Sequence, residues 1–106
     1  MNSSAPKQSK ATTVALDAMG GDFAPEEVVM GAAAVAGPEL KILLTGNRTE
    51  IERCLGGVGR GRRDHIEIMD ASEVIGFDEE PARAVRAKGD SSLVVACRQV
   101  AEGRAD

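Results

Sequence analysis

Short apolar runs alternate along this chain with longer stretches of helical character, and glycine or proline stands at nearly every junction. The run Thr12-Thr13-Val14-Ala15-Leu16-Asp17 is β-branched at its start and halted by Gly20-Gly21, which suits a buried strand. Pro25 then takes the place of a first helical residue. Glu26 and Glu27 occupy the first turn, where the helix dipole favours acid, and the apolar stretch 28–36 stops at Gly37-Pro38. Leu40-Lys41-Ile42-Leu43-Leu44-Thr45 reads as a second strand. Asn47 and Glu50 have the spacing of a capping box, opening a helix with Ile51 and Leu55 on one face and Gly56-Gly57 at its end. Residues 57–63, glycine-rich and basic, read as a solvated connector into a third strand over 65–69. A loop over 71–76 precedes a short helix over 81–87. Asp90-Ser91-Ser92 signals the start of a last helix, in which Leu93, Ala96, Cys97 and Val100 fall at i, i+3, i+4 and i+7 as its apolar face, with Gly103 as terminator.

Strands alternating with helices imply crossover units, and hence an α/β fold with an open, mostly parallel sheet covered by helices on both faces. The 106 residues, 42% of them apolar, suffice for one modest core. Aromatic residues are limited to Phe23 and Phe77, so Val, Ile, Leu, Ala and Met must fill that core. The polar residues 1–11 are expected to be a disordered tail, and residues 12–106 to be part of one domain. Three strands are few for this architecture, so the expectation is an N-terminal fragment of a larger sheet.

A net charge of −4 and two aromatics argue against a nucleic-acid binder that relies on phosphate contacts or base stacking. No run approaches the roughly 18 consecutive apolar residues of a membrane span. The first ten residues lack the apolar core of a signal peptide, and a cytoplasmic location follows as the default. Cys54, Cys97 and the single His65 show no ligand spacing, so no metal is expected, and the cysteines read as buried reduced thiols.

Chemistry is expected at the turn that follows the first strand. Open α/β sheets bind ligands beyond the carboxyl ends of their strands, where a turn offers backbone N–H groups to an anion. Gly20 and Gly21 permit close approach and unusual dihedrals. Asp17 and Asp22 flank them and would repel a phosphate unless they orient cations or take a proton. An ordinary tight turn with Asp22 as a helix cap fits the same residues equally well. Neither a dinucleotide fingerprint nor a P-loop is present. Arg83 and Arg86 share a helix face, with Lys88, Ser91 and Ser92 close behind. They fit a phosphate site, and also a solvated helix followed by a serine cap.

Taken together, Ala15-Leu16-Asp17-Ala18-Met19-Gly20-Gly21-Asp22 with Pro25, then Val74-Ile75, Asp78, Pro81, Ala84, Arg86, Lys88 and Ser91-Ser92, resemble the N-terminal third of the bacterial acyl-carrier-protein:phosphate acyltransferases. The likeness runs from about Thr13 to Asp106 and departs at Asp70, Phe77 and Leu93. The family's next Ser-Ala-Gly-Asn-Thr-Gly-Ala motif is absent from this sequence. The resemblance implies an α/β/α sandwich like that of phosphate acetyltransferases and isocitrate dehydrogenases. It also implies transfer of a fatty acyl group from acyl carrier protein to inorganic phosphate, giving acyl phosphate for phospholipid synthesis. By the same resemblance the protein is a homodimer, peripheral to the membrane, without cofactor or metal. Asp17 and Asp22 are then the catalytic candidates, and Gly20, Gly21, Arg86, Lys88, Ser91 and Ser92 those for phosphate and substrate. The alternative is a phosphate- or nucleotide-binding half-domain without catalysis.

Overall fold

A computed structural model describes residues 11–75 and 79–106. The expected tail over 1–11 therefore lies, apart from Ala11, outside the described residues, as do Phe77 and Asp78.

Three strands, β1 (Thr12–Asp17), β2 (Leu40–Gly46) and β3 (Ile66–Asp70), form a parallel sheet in the order β1-β2-β3. The first crossover carries α1 (Glu26–Val35). The second carries α2 (Arg48–Cys54), a 3-10 turn over Leu55–Gly57 and the short α3 (Arg60–Arg63). After β3 come α4 (Pro81–Ala87) and α5 (Ser92–Ala101).

Strand periodicity assigns the two faces of the sheet. Ile42 and Leu44 of β2 point towards α1 and α2, where they join Ala18, Val29, Ala32, Ala36, Ile51 and Leu55 in one buried cluster. Leu43 and Thr45 alternate to the opposite face, and there α5 lies across β1 and β2. Helices thus cover both faces, as the alternation of elements requires.

The helix ends follow local chemistry. Asn47 Oδ1 accepts the Glu50 N–H at 3.0 Å, and Ser91 Oγ accepts the Val94 N–H at 3.2 Å, so both serve as N-caps. Glu80 caps α4, with Pro81 in its first turn. Pro25 stands one position before α1 rather than inside it. The third strand begins one residue later than expected and extends to Asp70, whose Oδ1 accepts the Arg48 N–H at 3.0 Å and ties β3 to the start of α2.

Three expectations are corrected. The 57–63 connector contains α3, and the Arg62 guanidinium donates to Ala33 O at 3.1 Å and Ala34 O at 2.9 Å, satisfying carbonyls at the end of α1. The buried face of α5 is Ser92, Val95, Ala96 and Gln99, while Leu93, Cys97 and Val100 are exposed. Periodicity alone favoured the more apolar stripe. Hydrogen bonds decide otherwise: the Ser92 N–H donates to Glu73 O, the Ser92 carbonyl accepts from Thr45, and the Gln99 side chain is satisfied by Val95 O and the Arg104 guanidinium. Lastly, Cys54 is only half-buried and Cys97 is exposed, so neither is a core thiol.

Candidate functional site

Parallel strands deliver the chain to one end of the sheet, and residues 17–22 leave β1 there. The Ala18 N–H still donates to Thr45 O at 2.8 Å, so the ladder with β2 continues one residue beyond the strand. The chain then turns over its own carboxylate, because Asp17 Oδ1 accepts the Met19 N–H at 2.9 Å. Gly20 permits this folding back: a Cβ there would sit 3.1 Å from Asp17 Oδ2. Gly21 has φ of 101°, a conformation that side chains rarely adopt.

The result is a run of open donors. Among the described residues none accepts the N–H of Gly20, Gly21 or Asp22. Three successive amides at the carboxyl end of a parallel strand form the kind of concavity that holds an anion. Asp22 is exposed and does not cap α1, since Pro25 precedes that helix without a side-chain cap. This removes the reading in which Asp22 is only a helix cap.

A glycine that the sequence reading passed over supports the turn from below. Gly46 closes β2 with φ of 154°, and a Cβ there would come within 2.7 Å of Met19 Cγ and 3.0 Å of its Sδ. Met19 is therefore seated on bare backbone. Its only sequence signal was the Thr45-Gly46-Asn47 junction, which reads as a strand end and not as a close approach.

Thr45 links the turn to the second group of candidates. Its buried hydroxyl donates to Ser92 O at 2.8 Å, with Leu16 O a weaker second acceptor at 3.4 Å. The start of α5 is thereby fixed under the end of β1. Ser91 and Ser92 are both buried. The Ser91 hydroxyl is occupied as a cap, whereas Ser92 Oγ is buried with no hydrogen-bond partner among the described residues. Lys88 Nζ is held by Val74 O at 2.9 Å and Glu79 Oε2 at 2.7 Å, and the Ser91 N–H donates to Lys88 O. Arg83 and Arg86 are exposed on α4.

The loop before α5 is drawn in by Asp90, whose carboxylate accepts from the Ser72 hydroxyl at 2.6 Å and the Ser72 N–H at 2.9 Å. Those two bonds, the hydroxyl first, with the nearby Arg98 charge, hold the Asp90 carboxyl below its ordinary range. A cavity of about 400 Å³ lies elsewhere, lined by Thr13, Lys41, His65, Glu67 and Arg104. Its walls include the amino ends of β1 and β2, away from the end where such sheets bind ligands.

Residues 12–106 match the model of a family described as fatty acid synthesis protein. The chain belongs to that family. A phosphate acyltransferase of Heliobacterium modesticaldum is 53% identical over 93 residues, covering 87% of this chain and 28% of that protein. The phosphate acyltransferases of Endomicrobium trichonymphae and Levilactobacillus brevis are 52% and 46% identical, each over 88% of this chain and over 29% and 26% of their own lengths. The chain therefore spans little more than a quarter of the relatives it matches. Among the described residues no helix is long and apolar enough to cross a membrane.

Proposed function

We propose that the full-length protein containing this chain is a phosphate acyltransferase, and that the turn of residues 17–22 holds its inorganic phosphate. The observation that carries the reading is the set of open amides at Gly20, Gly21 and Asp22, presented at the carboxyl end of β1 by a turn that Asp17 folds and Gly21 permits. Relatives named phosphate acyltransferase support the same chemistry.

The reaction suits such a site. Hydrogen phosphate attacks the carbonyl carbon of an acyl thioester, a tetrahedral oxyanion forms, and the C–S bond breaks. The thiolate leaves with the proton that phosphate gives up, and an acyl phosphate remains. Phosphate is itself the nucleophile, so the protein's task is to position it and to stabilise developing negative charge with fixed donors. Gly20 and Gly21 serve as those donors. Asp17, committed to the Met19 N–H, sets the turn, and in this reading the exposed Asp22 accepts or relays the phosphate proton. Ser91 and Ser92 begin α5 under the same strand ends. In this reading Arg86 and Lys88 meet the acidic acyl carrier protein that brings the thioester. Acyl carrier protein and phosphate are the partners in this reading, a homodimer is the assembly, and the cytoplasmic face of the membrane is the place of work.

The test is acyl phosphate formation by the full-length protein, with the product trapped as the hydroxamate by hydroxylamine. Product should require both inorganic phosphate and acyl-acyl carrier protein. Its absence with both present contradicts the reading. Saturable nucleotide binding without carrier binding favours the non-catalytic half-domain instead.

A further inference from the structure

The start of α5 holds a hydroxyl that the packing around it does not use. Ser92 is 1% exposed, and its Oγ has no hydrogen-bond partner among the described residues. Burying a hydroxyl unpaired costs stability, and the large majority of such groups in native chains are satisfied. The groups around it are engaged elsewhere. Ser91 Oγ accepts the Val94 N–H, the Ser92 N–H donates to Glu73 O, and the Thr45 hydroxyl donates to Ser92 O. Capping accounts for Ser91 and the tie to the sheet accounts for the Ser92 main chain. Neither accounts for the Ser92 side chain.

Its place in the fold gives that side chain a direction. α5 runs against the strands: its first residue meets Thr45 near the carboxyl end of β2, while Asp106, beyond its last turn, meets Thr13 near the amino end of β1. The amino terminus of α5, with the positive end of the helix dipole, therefore stands at the end of the sheet from which residues 17–22 leave β1. Ser92 belongs to the buried face of α5, with Val95, Ala96 and Gln99. Asp17 pairs with Thr45 in register, so their side chains share the sheet face on which α5 lies. Thr45 Oγ1 is 2.8 Å from Ser92 O and 3.4 Å from Leu16 O, which sets the start of α5 against the last residues of β1. The Leu93 N–H, in the first turn of α5, also has no acceptor among the described residues.

One helical turn thus offers a hydroxyl and an amide, both unused, at the same end of the sheet as the open amides of Gly20, Gly21 and Asp22. We infer that Ser92 Oγ is a phosphate-binding donor, meeting the ion held by the glycine turn, with the Leu93 N–H beside it. The inference rests on the proposed function, since it takes the turn to be a phosphate site. Inorganic phosphate suits these donors, because its oxygens accept several hydrogen bonds at once and its charge is favoured at a helix start. Rotation about χ1 moves Oγ among three staggered positions, so a hydroxyl turned into the protein can swing to a ligand oxygen while the backbone stays in place. Ser91 has no such freedom, because its hydroxyl caps the helix.

A hydroxyl kept for a ligand differs from a structural one in what its removal does: binding weakens and the fold does not. The experiment is Ser92→Ala in the full-length protein, with inorganic phosphate as the probe, read by calorimetry, by the KM for phosphate and by the denaturant midpoint in phosphate-free buffer. Loss of a hydrogen bond to a charged ligand should raise Kd and KM by about 10- to 100-fold. The midpoint should stay at or above that of wild type. Ser92→Cys, close in shape but a weak donor, should show the same loss of affinity. In the wild type, the Ser92 13Cβ signal should shift saturably with phosphate as the side chain turns. A Kd within about twofold of wild type overturns the inference and leaves the proposed function standing, as does a 13Cβ signal that stays fixed while the Gly20 and Gly21 amides move. A lowered midpoint in phosphate-free buffer overturns it too, by showing that the hydroxyl has a structural partner. Wild-type protein that binds no phosphate overturns the inference and the proposed function together.

Discussion

Replacing Gly46 by alanine tests how the turn is held. A Cβ at this position would meet Met19 Cγ at 2.7 Å, Met19 Sδ at 3.0 Å and Ile51 Cδ1 at 3.3 Å, and the backbone has φ of 154°. The backbone contribution for a side chain in this region is about 1–3 kcal/mol. Crowding of a packed site adds about 1–3 kcal/mol, less if the flexible Met19 swings aside. The expected loss of stability is therefore about 2–5 kcal/mol, read by denaturant unfolding of the full-length protein. Met19→Ala separates the two parts. Once the thioether is gone the crowding is relieved and the backbone strain stays, so the double variant should recover about 1 kcal/mol or more of coupling. Moving Met19 also moves the turn, so Gly46→Ala should raise the KM for phosphate more than Thr45→Val does. A Gly46→Ala protein within about 0.5 kcal/mol of wild type refutes the reasoning. So does a cost that Met19→Ala leaves unchanged.

Three further outcomes follow from the same geometry. Thr45→Val leaves the Ser92 carbonyl without its buried donor and should cost about 1–3 kcal/mol in the same unfolding assay, and a neutral result would count against the tie between β2 and α5. Arg62→Gln withdraws the guanidinium from Ala33 O and Ala34 O, with an expected loss of about 0.5–1 kcal/mol and faster amide exchange at the end of α1. Because Asp90 is held below its ordinary range in the folded chain, its contribution is present above the unfolded aspartate pKa and is lost as pH falls through the lowered folded value. A carboxyl-carbon NMR titration should show that low midpoint, and Ser72→Ala should move it upward; an unmoved midpoint contradicts the assignment.

Strands and caps were legible because their causes are local. Thr12 to Asp17 is β-branched and stopped by glycine, and Asn47 and Ser91 accept bonds from amides three residues away. The glycine turn was legible for the same reason. What the sequence concealed depends on partners distant along the chain. Ser92 and Gln99 are polar and look solvent-facing until Thr45 and Glu73 engage the main chain of Ser92 and Arg104 the side chain of Gln99, which rotates α5 away from its most apolar stripe. Arg62 looks like one charge in a basic loop until α1 ends beside it. Gly46 looks like a strand terminator until Met19 lies on it. In each case the deciding contact joins segments whose proximity only the sheet creates.

The central claim is that the turn following β1 holds phosphate through its backbone. Titration of the 15N-labelled full-length protein with inorganic phosphate, at constant ionic strength set with chloride, tests it most directly. The account predicts saturable shifts of the Gly20 and Gly21 amides at phosphate concentrations that also saturate acyl phosphate formation. Saturable shifts elsewhere, with those two amides unmoved, would contradict it.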